Sequence, residues 1–238
     1  MDTFLQIVAN GLMLGGLFAI VAVGLTLIFG IVKVINFAHG EFLMVGMYLS
    51  FLLSTGLDVH PYLTAAAVAP ALFVLGALTQ RLLIQPLMSA RDEHVQIFAT
   101  VGLSTALMNL ALLIFGADIA NTPAHGVRSQ VMLGEVRILT GQLWVLAAAV
   151  ALVIGLQLFM KKTRTGRAIR ATAQNRAAAR LMGINDKFIY ILTFGIGAAC
   201  VGLGSSLIAP LYPTSPTIGT YFVLIAFVCV VLGGLGSI

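Results

Sequence analysis

The chain reads as a series of apolar runs of membrane-crossing length, separated by short polar breaks. The runs cover residues 5–29, 42–57, 62–83, 95–115, 143–159 and 188–211, and a last one begins near Tyr221. About 20 apolar residues carry a helix across a hydrocarbon core. Lipid cannot satisfy backbone polar groups, so spanning segments are helices or a closed barrel. These runs are continuous rather than strictly alternating, which selects helices. The pattern therefore predicts an all-α, polytopic helical bundle of about seven spans.

The breaks carry detail. Residues Asp58, His60 and Pro61 mark a brief turn, and Arg81, Arg91, Asp92 and Glu93 mark a polar connection. Pro70 falls in the middle of the third run, where a proline removes a backbone hydrogen bond. Residues 127–139 alternate loosely around Gly134 and predict a small hairpin. The first run holds Gly11, Gly15 and Gly16 and the sixth Gly195, Gly197, Gly202 and Gly204, small residues that let helices approach closely. Pro210, Pro213 and Pro216 end the sixth run in a stiff loop.

Composition agrees with the pattern. The 238 residues are 60% hydrophobic and 9% charged, with mean hydropathy +1.05, against about 25% charged in a soluble domain. The net charge of +5 is a topology signal rather than a nucleic-acid signal, because the basic residues cluster between runs. Lys33, Arg81, Arg91, Lys161, Lys162, Arg164, Arg167, Arg170, Arg176, Arg180 and Lys187 fall on one side by alternation, with Arg128 and Arg137 on the other, 11 against 2. The positive-inside rule then places the N-terminus outside. The first basic residue is Lys33, so the charged start of a cleavable signal is missing and the first run is read as a retained span. Cys200 and Cys229 both lie in apolar runs and say nothing about disulfides or redox compartment.

The strongest polar cluster is Asn36-Phe37-Ala38-His39-Gly40-Glu41, between the first two runs. Asn36 suits the N-cap of the second helix, Glu41 suits its positive end, and His39 suits a nearby backbone carbonyl. A helix start aimed at a cavity also suits a transport path, so capping and substrate contact both stand. The cluster is placed near the cytoplasmic side, and no ionisable residue is expected deep in a span. A proton relay at membrane depth is thereby disfavoured.

The sequence has no Gly-Lys pair and so no phosphate-binding loop, which leaves any ATP hydrolysis to another subunit. It has no zinc-protease motif, no Gly-x-Ser-x-Gly elbow and no clustered histidines, so neither an enzyme nor a cofactor is expected. Residues 165–185 read as one basic helix, capped by Thr165 and stopped by Gly183. It fits either anionic lipid or a cytoplasmic partner, and the spacing of Ala178, Ala179 and Gly183 favours docking.

Three blocks resemble the membrane permeases of branched-chain amino-acid ABC transporters, the LivH-like branch. The first is Gly24-Leu25-Thr26-Leu27-Ile28-Phe29-Gly30-Ile31 with Ile35-Asn36-Phe37-Ala38-His39-Gly40-Glu41. The second runs from Gly166-Arg167-Ala168-Ile169-Arg170-Ala171 to Leu181-Met182-Gly183-Ile184-Asn185, and the third is Val231-Leu232-Gly233-Gly234-Leu235-Gly236-Ser237-Ile238. The resemblance implies an importer subunit in the bacterial inner membrane. Its implied partners are cytoplasmic ATPases, a second permease subunit (the same or a paralogue) and a periplasmic or extracellular binding protein. It implies one permease domain over residues 1–238, with the C-terminal spans of the family missing. Residues 161–187 would be the coupling loop, with Gly166, Arg167, Arg170, Ala178, Ala179 and Gly183 coupling to the ATPase. Asn36, His39 and Glu41 remain candidates for the path or for a helix cap. Two positions depart from the family: Ile225 stands where a lysine is common, and Ala177 where the broader ABC pattern has Glu. The alternatives are the same architecture carrying urea, amides or another small polar solute, and, from a different class, an intramembrane enzyme or lipid-binding scaffold.

Overall fold

The computed structural model describes residues 2–88, 94–124, 126–133 and 136–234. Helix α1 spans Asp2–Val32, 31 residues or about 46 Å, more than a hydrocarbon core requires. It ends at Lys33, whose φ of 61° breaks the helical path. Residues 33–38 are not helical. Helix α2 follows over His39–Leu57 and closes on Asp58 in the left-handed conformation. The expected turn is there, and Pro61–Thr64 then forms a 3₁₀ turn.

The third span is one continuous rod of three pieces. Helix α3, Ala65–Thr79, contains Pro70; a π turn covers Gln80–Ile84; and α4 covers Gln85–Leu87. Pro86 lacks an N–H and crowds the carbonyl four residues back, so the widened turn falls where the helix must accommodate it. Helix α5, His94–Phe115, lies at the edge of the bundle and is the least buried of the spans. Arg91, Asp92, Glu93 and His125 lie outside the described residues.

The expected hairpin is present, with β1 at Gln130–Leu133 and β2 at Val136–Leu139 pairing antiparallel, Gln130 opposite Leu139; Gly134 lies outside the described residues. It grips the start of α1: Gln6 Nε2 donates to the Arg137 carbonyl and Arg137 N–H donates to Gln6 Oε1, both at 2.8 Å. Helix α6 spans Thr140–Lys162. Helices α7, Arg164–Gln174, and α8, Arg176–Leu181, form the basic connection. Helix α9 spans Asp186–Ile208 and α10 spans Ile218–Leu232. Among the described residues, six helices are long and apolar enough to cross a membrane, and α10, at 15 residues, is a shorter apolar helix.

Helix α9 is the centre, packed against α1, α2 and α3. Lipid tails are as apolar as leucine, so close packing of small residues, rather than a hydrophobic drive, holds such helices together. Gly197 shows how. A Cβ there would collide with Ile28 and with the Gly24 carbonyl, and a Cβ on Gly24 would collide with the Gly197 carbonyl. By contrast Gly11 and Gly15 of α1 meet nothing, and Gly16 packs against Leu146. The two ends of the bundle differ. At one, Gln85, Pro86, Met88, Arg176, Arg180 and Lys187 share a cleft. At the other, Arg128 Nε donates to the Pro210 carbonyl at 3.0 Å beside the hairpin.

Candidate functional site where two broken helices meet

Residues 33–38 leave the basic end and run back into the bundle as non-helical backbone that closes in a turn at residues 37–38. Thr100 of α5 takes up their polar groups: its hydroxyl donates to the Ile35 carbonyl at 3.1 Å and accepts from Phe37 N–H at 3.4 Å. The Phe37 ring stacks on Phe227 of α10 with centroids 5.9 Å apart. Helix α2 therefore begins at depth. His39 Nε2 lies 3.1 Å from the Val21 carbonyl, and Val21 sits eleven residues before the end of α1, about 16 Å along the axis. The same His39 ring borders Gly24, which touches Gly197, the central residue of α9.

This corrects the sequence expectation for the polar cluster. Asn36, His39 and Glu41 are not at the cytoplasmic boundary. They lie midway along the bundle, with 0%, 0% and 1% of their surface exposed, and His39 and Glu41 are ionisable residues deep inside it. The cause is that residues 33–38 belong to no span but re-enter the bundle. Asn36 is not the N-cap either. Ala38 holds that position and no side chain caps the helix; the Asn36 side-chain oxygen instead accepts from Ala38 N–H at 3.1 Å, tightening the turn before α2. His39 does bond a backbone carbonyl, as expected. A carbonyl only accepts, so Nε2 carries the proton.

Glu41 ties three helices. Its Oε1 accepts from the Ser104 hydroxyl of α5 at 3.1 Å and from the Thr220 hydroxyl of α10 at 3.5 Å. Its Oε2 is buried without a partner among the described residues. Beside it the starts of α2 and α10 abut. A Cβ on Gly40 would fall on the Gly219 carbonyl and Val223, and a Cβ on Gly219 would fall on Glu41 Oε2 and the Gly40 carbonyl. Helix α10, like α2, has no side-chain cap, with Thr217 at its N-cap position. Gly219, Thr220 and Ser104 were not among the residues the sequence singled out. The available signal was a Gly-Thr pair opening an apolar run after three prolines.

The basic segment is two helices, not one. Thr163 rather than Thr165 caps α7, accepting from Gly166 N–H at 2.9 Å. The chain turns at Asn175, whose side chain accepts from Ala178 N–H at 3.0 Å and caps α8. Asparagine is a poor interior helix residue and a good cap, which outweighs the alanines around it. Gly183 stops α8 as expected. At φ 80° it lets Ile184 N–H reach the Ala179 carbonyl and its own N–H reach the Arg180 carbonyl, the two bonds of a Schellman stop.

Of the six residues assigned to coupling, Arg167, Arg170, Ala178 and Gly183 are exposed, while Gly166 and Ala179 face inward. A Cβ on Gly166 would strike the backbone of Met160, so that glycine sets the turn from α6 into α7. The segment is pinned to α9 by Asp186 Oδ2, which accepts from Arg176 Nε and Arg180 Nη2, both at 2.6 Å. The hydrogen bond and charge of Asp186 hold the Arg180 guanidinium above its ordinary pKa. Beyond the alanines, Leu181 and Met182 are 89% and 82% exposed.

A bundle of membrane-length helices, two of whose helices start at a buried polar centre, with a basic helical connection at one end, has the build of a polytopic membrane permease. Residues 7–238 match the family described as branched-chain amino acid transport system permease component, and the chain belongs to that family. It is 34% identical to the high-affinity branched-chain amino acid transport system permease protein BraD of Pseudomonas aeruginosa, over 99% of this chain and 80% of that protein. It is 32% identical to the corresponding LivH protein of Escherichia coli, with the same coverage. Identity to the probable branched-chain amino acid transport permease protein LivH of Methanocaldococcus jannaschii is 28%, over 98% of this chain and 75% of that protein. No solved structure matches.

Proposed function

We propose that this chain is the membrane permease subunit of an ATP-driven importer that carries branched-chain or related amino acids across the bacterial inner membrane. The family match from residue 7 to residue 238 carries this reading. The geometry supports it with a polar centre buried at depth where two helices start, a feature of transporter binding regions. The chain acts as one permease domain with its N-terminus outside, and its work is conformational. ATP is hydrolysed by separate cytoplasmic subunits, the amino acid is delivered by a binding protein, and a second permease subunit completes the path.

Residues 161–187 form the coupling loop. Arg167, Arg170, Ala178 and Gly183 meet the ATPase together with Leu181 and Met182, while Gly166 and Ala179 keep the loop in shape. The test is reconstitution of the chain with the ATPase, binding-protein and permease products of its neighbouring genes. ATP-dependent uptake of radiolabelled leucine into proteoliposomes is the expected result. A complete assembly that takes up urea or an amide but not leucine would overturn the substrate assignment. A chain that co-purifies with no ATPase would overturn the class.

A further inference from the structure

We infer that Glu41 is the mid-membrane acceptor for the ammonium group of the transported amino acid, with the uncapped start of α10 receiving its carboxylate. This rests on the importer reading above.

A carboxylate held at membrane depth is costly unless it is paired. Glu41 is 1% exposed, and its polar contacts among the described residues are two hydroxyls, both on Oε1. Oε2 is left with an acceptor's capacity and no donor. The carboxylate is nevertheless only one layer deep. Thr220, which covers it, is exposed, and Ser104 is half-buried. These two hydroxyls make a polar window over the carboxylate, on apolar helices whose other exposed side chains include Phe98, Leu224 and Val228. Hydroxyls at mid-depth gain nothing from lipid, and they suit a face that meets a polar solute.

Two charges of opposite sign meet at this window. Helices α2 and α10 both begin there with no side-chain cap. A helix start presents unsatisfied N–H groups and the positive end of its dipole. Glu41 supplies the negative charge beside it. An α-amino acid carries the complementary pair on one carbon, an ammonium and a carboxylate. Recognition by this pair ignores the side chain, which suits a carrier of several related amino acids. Urea and amides lack the ammonium and leave Oε2 without a counter-charge.

The experiment is Glu41→Gln in the complete reconstituted transporter. The amide keeps the shape of the side chain and an oxygen for Ser104 and Thr220, so a purely structural Glu41 tolerates it. Leucine uptake is expected to fall about 30-fold or more, the loss that follows from removing one partner of a buried charge pair. Co-purification with the ATPase is expected to persist, and Glu41→Asp is expected to recover part of the uptake. Uptake by Glu41→Gln close to wild type overturns the proposal. A second measurement keeps Glu41 intact and applies if Glu41→Gln does not assemble. Thr220→Cys with Cys229→Ser is treated with a cationic thiol reagent, and leucine-loaded binding protein with ATP is expected to slow the modification. A rate unchanged by substrate overturns the proposal. Failure of the wild-type transporter to take up leucine at all would instead sink the importer reading.

Discussion

Gly40→Ala is expected to leave almost no folded permease in the membrane. A single methyl group there meets the carbonyl of Gly219 and the side chain of Val223. The carbonyl is backbone and cannot rotate away as a flexible side chain would. Overpacking in a core that can adjust costs about 1–3 kcal/mol, and this contact offers little adjustment. Moving α10 outward would also separate Thr220 from Glu41 and Phe227 from Phe37. Against a total stability of about 5–15 kcal/mol, the change removes a large fraction. The measurement is the yield and melting temperature of the detergent-solubilised protein by fluorescence-detected size exclusion. Gly155→Ala is the control, because that glycine of α6 has open space around it and alanine is the better helix former. Equal melting temperatures for the two variants would refute the crossing of α2 and α10.

Leu181→Asp with Met182→Asp is expected to separate ATP hydrolysis from uptake while leaving the bundle intact. Both side chains project from the end of α8 and are almost fully exposed. Surface changes of this kind move stability by about 0.5 kcal/mol or less. Large apolar groups that fill a partner's pocket carry 2 kcal/mol or more each, roughly 30-fold in affinity. The doubly substituted chain should therefore melt like wild type yet lose the ATPase during purification and lose uptake. Retention of the ATPase with normal substrate-stimulated hydrolysis would count against coupling through α8. Ala178→Trp probes the same surface from the neighbouring exposed position. Ala179→Trp is a poor probe, because Ala179 is buried and its loss would damage α8 itself.

The spans were legible because lipid imposes a local rule. Each needs its own continuous apolar run, and the runs at 95–115 and 188–211 lie close to α5 and α9. The hairpin and the stop at Gly183 were legible for the same reason, since turn chemistry is local. The site was legible only as a list of residues. Asn36, His39 and Glu41 stood out as polar groups, but their depth depends on residues 33–38 folding back, and nothing local distinguishes that from an ordinary cytoplasmic loop. The partners of Glu41 are 63 and 179 residues away, beyond any spacing pattern. The break at Asn175 was hidden by neighbouring alanines, which gave α7 and α8 the look of one helix.

The backward run of residues 33–38 has a consequence for how the protein is made. If the first two helices took up their final depth on leaving the ribosome, the carbonyl of Ile35 and the N–H of Phe37 would face lipid with no partner, because Thr100 of α5 has not been synthesised. Glu41 waits longer still, for Thr220. An unsatisfied backbone group costs several kcal/mol in hydrocarbon, so α2 cannot settle at its final depth during early insertion. It must first sit nearer the interface and be drawn in as α5 and then α10 arrive. Nascent chains stalled after α2 are therefore expected to expose a cysteine placed at Ala38 to a water-soluble thiol reagent, and the finished protein is expected to hide it. Equal protection at both stages would mean that the first two helices reach their resting place alone.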